Sequence, residues 1–386
     1  MELMKEMQVS MSETQQQMLL ERLMKSGQAF DFPTSKLLLD TMRFCGLDLD
    51  VLKSFLTNPA HADIRVMEIL RKLSTHFEKF ASDAEACGDV ETAKKRYLNA
   101  IISCVFANWL SYDYNDTKIN YEMMLPCCDK FRMLSTPPIE KLVFPCYKGS
   151  VFAYLSFPDP AKFILPYPVI LIVQGNDEVK EMNVPFEKMA HERGFAVLNI
   201  DPPGWGESYL SGNVFKNVDV YKSAIVNAIN YVEKRPELER ERIASFGVSF
   251  GGLLTHFAAG LDHRIKASAG MGAPFMDNRK MREGLPDAQK KRTYLLTGTN
   301  SENELMAWSE QFDVIRHLKD VLHPALIVHG QEDNLVPAEN AQAIADCITG
   351  KTTVKVIPGG DHMCMHSLES TVGPMMFDWL KEQLDM

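Results

Sequence analysis

Gly247-Val-Ser-Phe-Gly251 sets a serine between two glycines. A strand-like run from Arg242 enters the turn, and a helix-like run from Leu253 to Ala259 leaves it. A sharp strand-to-helix turn of this kind lifts the serine hydroxyl above the edge of a parallel sheet, so Ser249 is a candidate nucleophile. Gly247 and Gly251 are expected where a Cβ would meet neighbouring backbone. The helix that follows aims its first amides at any anion formed there. Five letters also occur by chance, around a serine that merely packs in a loop. The flanking elements and the partners below carry the reading.

Two partners follow in the order nucleophile, acid, histidine. Pro324-Ala-Leu-Ile-Val-His-Gly-Gln-Glu-Asp333 reads as a buried strand opening into a polar loop. Thr353-Val-Lys-Val-Ile-Pro-Gly-Gly-Asp-His362 reads as a short strand and a Gly-rich loop. Asp333 and His362 thus fall just past the C-terminal ends of strands, the edge where open parallel sheets form their sites. Singly, Asp333 could cap a helix starting near Pro337, and His362 could be an ordinary loop residue. Order and placement together favour a Ser249–His362–Asp333 relay.

A tetrahedral oxyanion needs fixed N–H donors. Pro168-Val-Ile-Leu-Ile-Val-Gln-Gly-Asn176 is a buried strand running into a glycine, the usual source of the second donor. The expected donors are the amide of Phe250, next to the serine, and that of Asn176 or its neighbour Gly175. Asp177 and Glu178 come next, and an acid there opposes the charge being stabilised. Asp177 either faces solvent or handles a proton or a substrate hydroxyl.

Those residues need a large scaffold, and the 386-residue chain, 46% hydrophobic, has room for two domains. Before residue 138 glycine is sparse and apolar residues recur at helical spacing, as in Ile64, Met67, Leu70, Leu73 and Phe77. Other helical runs cover Lys36 to Leu56, Thr92 to Tyr112 and Ile119 to Leu134. Residues 1–137 therefore read as an all-helical domain. Its methionine-rich start, with Met1, Met4, Met7, Met11, Met18 and Met24, either faces a partner subunit or packs on its own domain. Residues 138–386 alternate strand and helix, a doubly wound, mostly parallel α/β sheet. Residues 273–320 break that alternation and read as a helical, lid-like insertion. Trp109, Tyr112, Tyr114 and Trp205 are either walls of an apolar substrate pocket or plain core.

A net charge of −10 with no long basic block argues against nucleic acid and anionic membranes. No apolar run is long enough to span a bilayer, and no basic segment with an apolar core opens the chain, so neither a membrane span nor a secretory signal is expected. Eight scattered cysteines read as reduced thiols of a cytoplasmic protein. His362-Met-Cys-Met-His366 lacks the glutamate of a metal-binding helix, so neither metal nor cofactor is expected.

Gln174-Gly-Asn-Asp-Glu-Val-Lys-Glu181, Asp201-Pro-Pro-Gly-Trp-Gly-Glu207, Gly247-Val-Ser-Phe-Gly251 and the segments holding Asp333 and His362 together resemble one family. It is the α/β-hydrolases with an N-terminal helical cap, which include 2,6-dihydroxypseudooxynicotine hydrolase, fungal polyketide-shortening hydrolases of pigment pathways and esterases related to the fermentation–respiration switch protein. The resemblance covers nearly the whole chain. It implies hydrolysis of a carbon–carbon bond next to a ketone, or of an ester, in a small molecule, and a homodimer. Asp177 fits the family's acidic position, with Lys180 and Glu181 as the Lys-Glu pair behind it. Gln174, Asn176 and Pro203 depart from the pattern and leave the substrate open. The expected chemistry is an acyl-enzyme on Ser249, with Asp177 assisting a carbanion leaving group. Direct attack by water, transfer of the acyl group to an alcohol or amine, and a non-catalytic binding role are the alternatives.

Overall fold

The computed structural model describes residues 21–22, 24–25, 33–111, 113–147, 149–176, 178–275, 293–311 and 314–385. They form two compact units, one up to Leu134 and one from Ser135 onward.

The first unit is helical: α1 Pro33–Phe44, α2 Leu49–Leu56, α3 Val66–Ala86, α4 Val90–Trp109 and α5 Tyr114–Leu134. On α3 the residues Met67, Leu70, Leu73, Phe77 and Ala81 are buried, the stripe that a 3.6-residue period turns inward. The run expected from Lys36 to Leu56 is two helices. Gly46 takes φ 105°, which ends α1, and the Asp48 carboxylate accepts the Val51 amide and starts α2. The methionine stripe up to Met18 lies outside the described residues, whereas Met24 is buried. Arg71, nearly buried, donates to Asn120 at 2.6 Å and to Asp116 at 2.9 Å, joining α3 to α5.

The second unit is built on one eight-stranded sheet in the order β1-β2-β4-β3-β5-β6-β7-β8. The strands are β1 Glu140–Cys146, β2 Gly149–Ser156, β3 Tyr167–Val173, β4 Ala196–Asp201, β5 Leu238–Val248, β6 Ile265–Met271, β7 Ala325–Gly330 and β8 Thr352–Ile357. β1 and β2 are antiparallel, as is the β2–β4 pair; all others are parallel. Both faces are covered, because successive side chains of a strand point opposite ways. Val169, Leu171 and Val173 join a core with Ile225 and Ile229 of α8 Val218–Val232 and Leu254 and Phe257 of α9 Phe250–Leu261. Two shorter helices, α6 Val184–His191 and α7 Gly206–Leu210, precede these in the chain. Phe246 faces the other way, with Phe186 of α6 at 4.9 Å and Phe377 of the C-terminal helix Gly373–Asp385 at 4.8 Å.

β6 has no apolar run to announce it, being Ile-Lys-Ala-Ser-Ala-Gly-Met. Its small residues admit α9 to close range: a Cβ on Gly270 would lie 2.2 Å from the Gly252 carbonyl oxygen. Of the expected insertion, 276–292 fall outside the described residues. The helices α10 Glu302–Gln311 and α11 Val314–Leu318 put Leu305, Trp308, Val314 and Leu318 into the main core of this unit. Among the described residues no helix is long and apolar enough to cross a membrane.

Candidate active site

β5 ends at Val248 and α9 begins at Phe250, so Ser249 alone makes the turn. Its backbone is left-handed, φ 57° and ψ −126°, a strained conformation for a residue with a Cβ, held by its N–H bond to the Met271 carbonyl at 2.7 Å. The flanking glycines leave room for it. A Cβ on Gly247 would sit 2.2 Å from the Gly251 oxygen, and one on Gly251 would sit 2.6 Å from the Val173 oxygen.

The loops after β7 and β8 converge on that serine. His362 Nε2 lies 2.9 Å from Ser249 Oγ, and its Nδ1 lies 2.7 Å from Asp333 Oδ2. Asp333 Oδ1 accepts the amides of Leu335 and Val336, each at 2.8 Å. The carboxylate thus also organises its own turn, although the next helix, α12 Glu339–Cys347, starts further on. One partner was not foreseen. His329 on β7, fully buried, sets Nε2 3.1 Å from Asp333 Oδ2 and 3.0 Å from the Val336 carbonyl. A ring nitrogen facing two acceptors carries the proton, so His329 is a second imidazole donor to the same oxygen. Its only signal in the sequence is a polar residue inside an otherwise apolar strand. Burial works to raise the Asp333 carboxyl, but hydrogen bonds from His329, His362 and Val336 outweigh it and hold the group well below the usual carboxylate range. An imidazole placed between a hydroxyl and an ionised carboxylate can take the hydroxyl proton at Nε2 while Nδ1–H stays bonded.

The strand β3 brings Gly175 against the same turn: a Cβ there would lie 2.9 Å from the Val248 oxygen. Gly175 is not the donor that was expected, because its N–H bonds the Glu178 carboxylate at 2.7 Å. Its part is to permit close approach. Asn176 follows it, and Phe250 opens α9, where first-turn amides have no intrahelical acceptor. Asp177 and Tyr112 lie outside the described residues. Trp109 packs its ring 4.7 Å from Phe106 and Tyr114 is exposed, both in the helical unit. Trp205 is core rather than exposed wall: it is 2% accessible, and its indole N–H donates to the Gly175 carbonyl at 2.6 Å.

Behind Gly175 lies a sealed ion cluster. Lys180 is fully buried, with Nζ 2.7 Å from Glu181, 2.8 Å from Asp201 and 2.7 Å from Glu207, and 4.7 Å from the Tyr154 ring centre. Its backbone N–H also bonds Asp201 at 2.9 Å. Burial pulls the Lys180 ammonium down, but the three carboxylates outweigh it and keep the lysine charged. Burial dominates at Glu181, and Lys180 does not cancel it, so this carboxyl is pushed up to about 7. Glu207, which Lys141 also reaches at 2.6 Å, stays below its usual range because the two lysines outweigh its burial.

A strained serine turn between β5 and a helix, a mostly parallel eight-stranded sheet and loop residues from its C-terminal edge define an α/β-hydrolase, and the chain is an enzyme of that class. It matches the prolyl oligopeptidase family over residues 185–386, more than half its length, and belongs to that family. Among curated proteins it is 23% identical over 313 residues to 2,6-dihydropseudooxynicotine hydrolase of Paenarthrobacter nicotinovorans, covering 81% of this chain and 83% of that one. The crystal structure of 2,6-dihydroxy-pseudo-oxynicotine hydrolase is similar in fold, with a TM-score of 0.79 at 19% identity over 90% of this chain and 95% of that one. A polyketide transferase of Penicillium sp is 29% identical over 114 residues, which span 29% of this chain and 38% of that one.

Proposed function

We propose that the protein hydrolyses a carbon–carbon bond next to a ketone, or an ester, in an aromatic or polyketide-like small molecule, through an acyl-enzyme on Ser249. The observation that carries this reading is the continuous chain from Ser249 Oγ through His362 to Asp333 at 2.9 and 2.7 Å. His362 takes the serine proton as Oγ adds to the substrate carbonyl carbon. Asp333 keeps the imidazole in the required tautomer and stabilises its charged form. The carbonyl oxygen, now anionic, settles between the Phe250 and Asn176 amides. On collapse the bond to the leaving group breaks, and the imidazolium returns a proton to an alkoxide. For a β-diketone-like substrate the leaving group departs as an enol, taking that proton from the imidazolium with Asp177 as the group assigned to assist it. Water, deprotonated by His362, then releases the acid and restores Ser249.

A second reading keeps the acyl-enzyme and passes the acyl group to an alcohol or amine. The name borne by the Penicillium relative favours it. The protein is further proposed to be a cytoplasmic homodimer. The eight cysteines, scattered along the chain, support a reducing compartment, and the family resemblance supports the dimer.

A fluorophosphonate probe, followed by peptide mapping, tests the reading. Modification of Ser249 in wild type and none in Ser249→Ala is the expected result; labelling elsewhere, or none, overturns it. Product ratios with and without an added amine separate hydrolysis from transfer, since a transferase passes most of the acyl group to the acceptor despite bulk water. Light scattering reads the oligomeric state, with twice the 43.7 kDa chain mass expected.

A further inference from the structure

Gly175 is held through both of the peptide groups that meet at it. Its N–H donates to the Glu178 carboxylate at 2.7 Å, and its carbonyl accepts the Trp205 indole N–H at 2.6 Å. A trans peptide is planar, with its carbonyl and the following N–H pointing in opposite directions. Holding the Gly175 carbonyl therefore fixes the direction of the Asn176 amide. The loop cannot swing as a whole either, because it lies in backbone contact with the serine turn. A Cβ on Gly251 would be 2.8 Å from Gly175 N, and one on Gly175 2.9 Å from the Val248 oxygen.

The same indole touches the other side of the site. Trp205 stacks on Phe250 with ring centres 6.4 Å apart and planes 22° apart, and it packs on Phe215 at 5.6 Å. Its own segment is anchored. Asp201 and Glu207, which bracket Trp205 in the chain, both hold Lys180, and Lys180 lies on the continuation of the Gly175 loop. Trp308 closes the far side, its indole N–H donating to the Phe215 carbonyl at 2.6 Å.

The geometry points to Trp205 as a positioning residue of the oxyanion site: by holding the Gly175 carbonyl and stacking on Phe250, it sets the angle between the Asn176 and Phe250 amides. This rests on the Ser249 acyl chemistry proposed above. Trp205 touches no reacting atom. A donor pair aimed at the tetrahedral oxygen acts more strongly in the transition state than on bound substrate, so loss of aim lowers kcat and spares KM.

Trp205→Phe keeps a ring against Phe250 and removes the indole N–H. With p-nitrophenyl butyrate as probe we expect kcat to fall about 10- to 100-fold, less than deletion of a donor outright, and KM to stay within about twofold. Labelling of Ser249 by a fluorophosphonate should slow by a similar factor, since its phosphoryl oxygen needs the same donors. If Trp205→Phe unfolds, benzothienylalanine at position 205 preserves the shape without the N–H and is held to the same result. Wild-type kcat and labelling rate in the folded variant, or a loss confined to KM, overturn the inference while leaving the Ser249 reading intact. Absence of Ser249 labelling in wild type overturns both.

Discussion

The two sides of Ser249 hold buried polar groups of different kinds. Toward β3 and β4 the interior holds a lysine among three carboxyl groups: Lys180 with Asp201, Glu181 and Glu207. Toward β7 and β8 it holds one carboxylate, two imidazoles and a hydroxyl. The first group centres on Lys180 and ties the end of β4 and α7 to the segment after Gly175; the second runs as a chain ending on the serine. A buried charge with several partners is rigid because every displacement exposes it uncompensated. A proton relay needs the reverse, a member whose charge can change during turnover. On the proposed reading the difference separates holding backbone in place from moving a proton.

If that division is right, variants on the two sides should fail differently. Ser249→Ala should cost the most activity, a fall in kcat of about 10⁴-fold or more, with a melting temperature no lower than wild type. Asp333→Asn should lose about 10³- to 10⁴-fold through the wrong tautomer of His362. On the other side, Lys180→Met leaves Asp201 and Glu181 buried without their cation, and Glu207 with Lys141 alone. It should cost about 3–5 kcal/mol of stability in denaturant titration. A Lys180→Met protein as stable as wild type would break the comparison. His329→Phe should lower kcat by roughly tenfold, the effect of one hydrogen bond to a charged acceptor, with little change in KM. An unchanged kcat would reduce His329 to packing.

The smallest effects are in the pH dependence, and the two sides should slope oppositely. Asp333 is held below its ordinary value, so its contribution is complete above about pH 4 and lost as pH falls. The stability gap between wild type and Asp333→Asn should close on acidification. Glu181 is pushed up to about 7, so its protonated form is favoured in the folded state. Wild type should lose stability relative to Glu181→Gln as pH rises from about 4.5 to 7. Denaturant midpoints across pH measure both, and slopes of the same sign would defeat the assignment.

A feature is legible in the sequence when the constraint behind it is local. The Ser249 turn is written in five consecutive residues, since glycine is demanded by clashes within the turn itself. Asp333 and His362 follow strands of recognisable type, and the fold class follows from alternating strands and helices. β6 escaped because small residues chosen for close helix packing leave no apolar signature. The split at Gly46 escaped because one αL residue interrupts an otherwise continuous stripe. Trp205 reads equally as wall or core until a specific carbonyl is found at its N–H.

By itself, then, the order of residues determined the serine turn, the succession of acid and histidine and the layered α/β architecture, because each depends on neighbours in the chain or on a simple period. Only the tertiary structure decided that His329 shares the Asp333 oxygen, that Gly175 N–H is occupied by Glu178, and that Lys180 draws carboxylates from two loops into one sealed cluster. Those are contacts between segments that share no period. Their distances and hydrogen-bond directions are settled when the sheet brings the loops together.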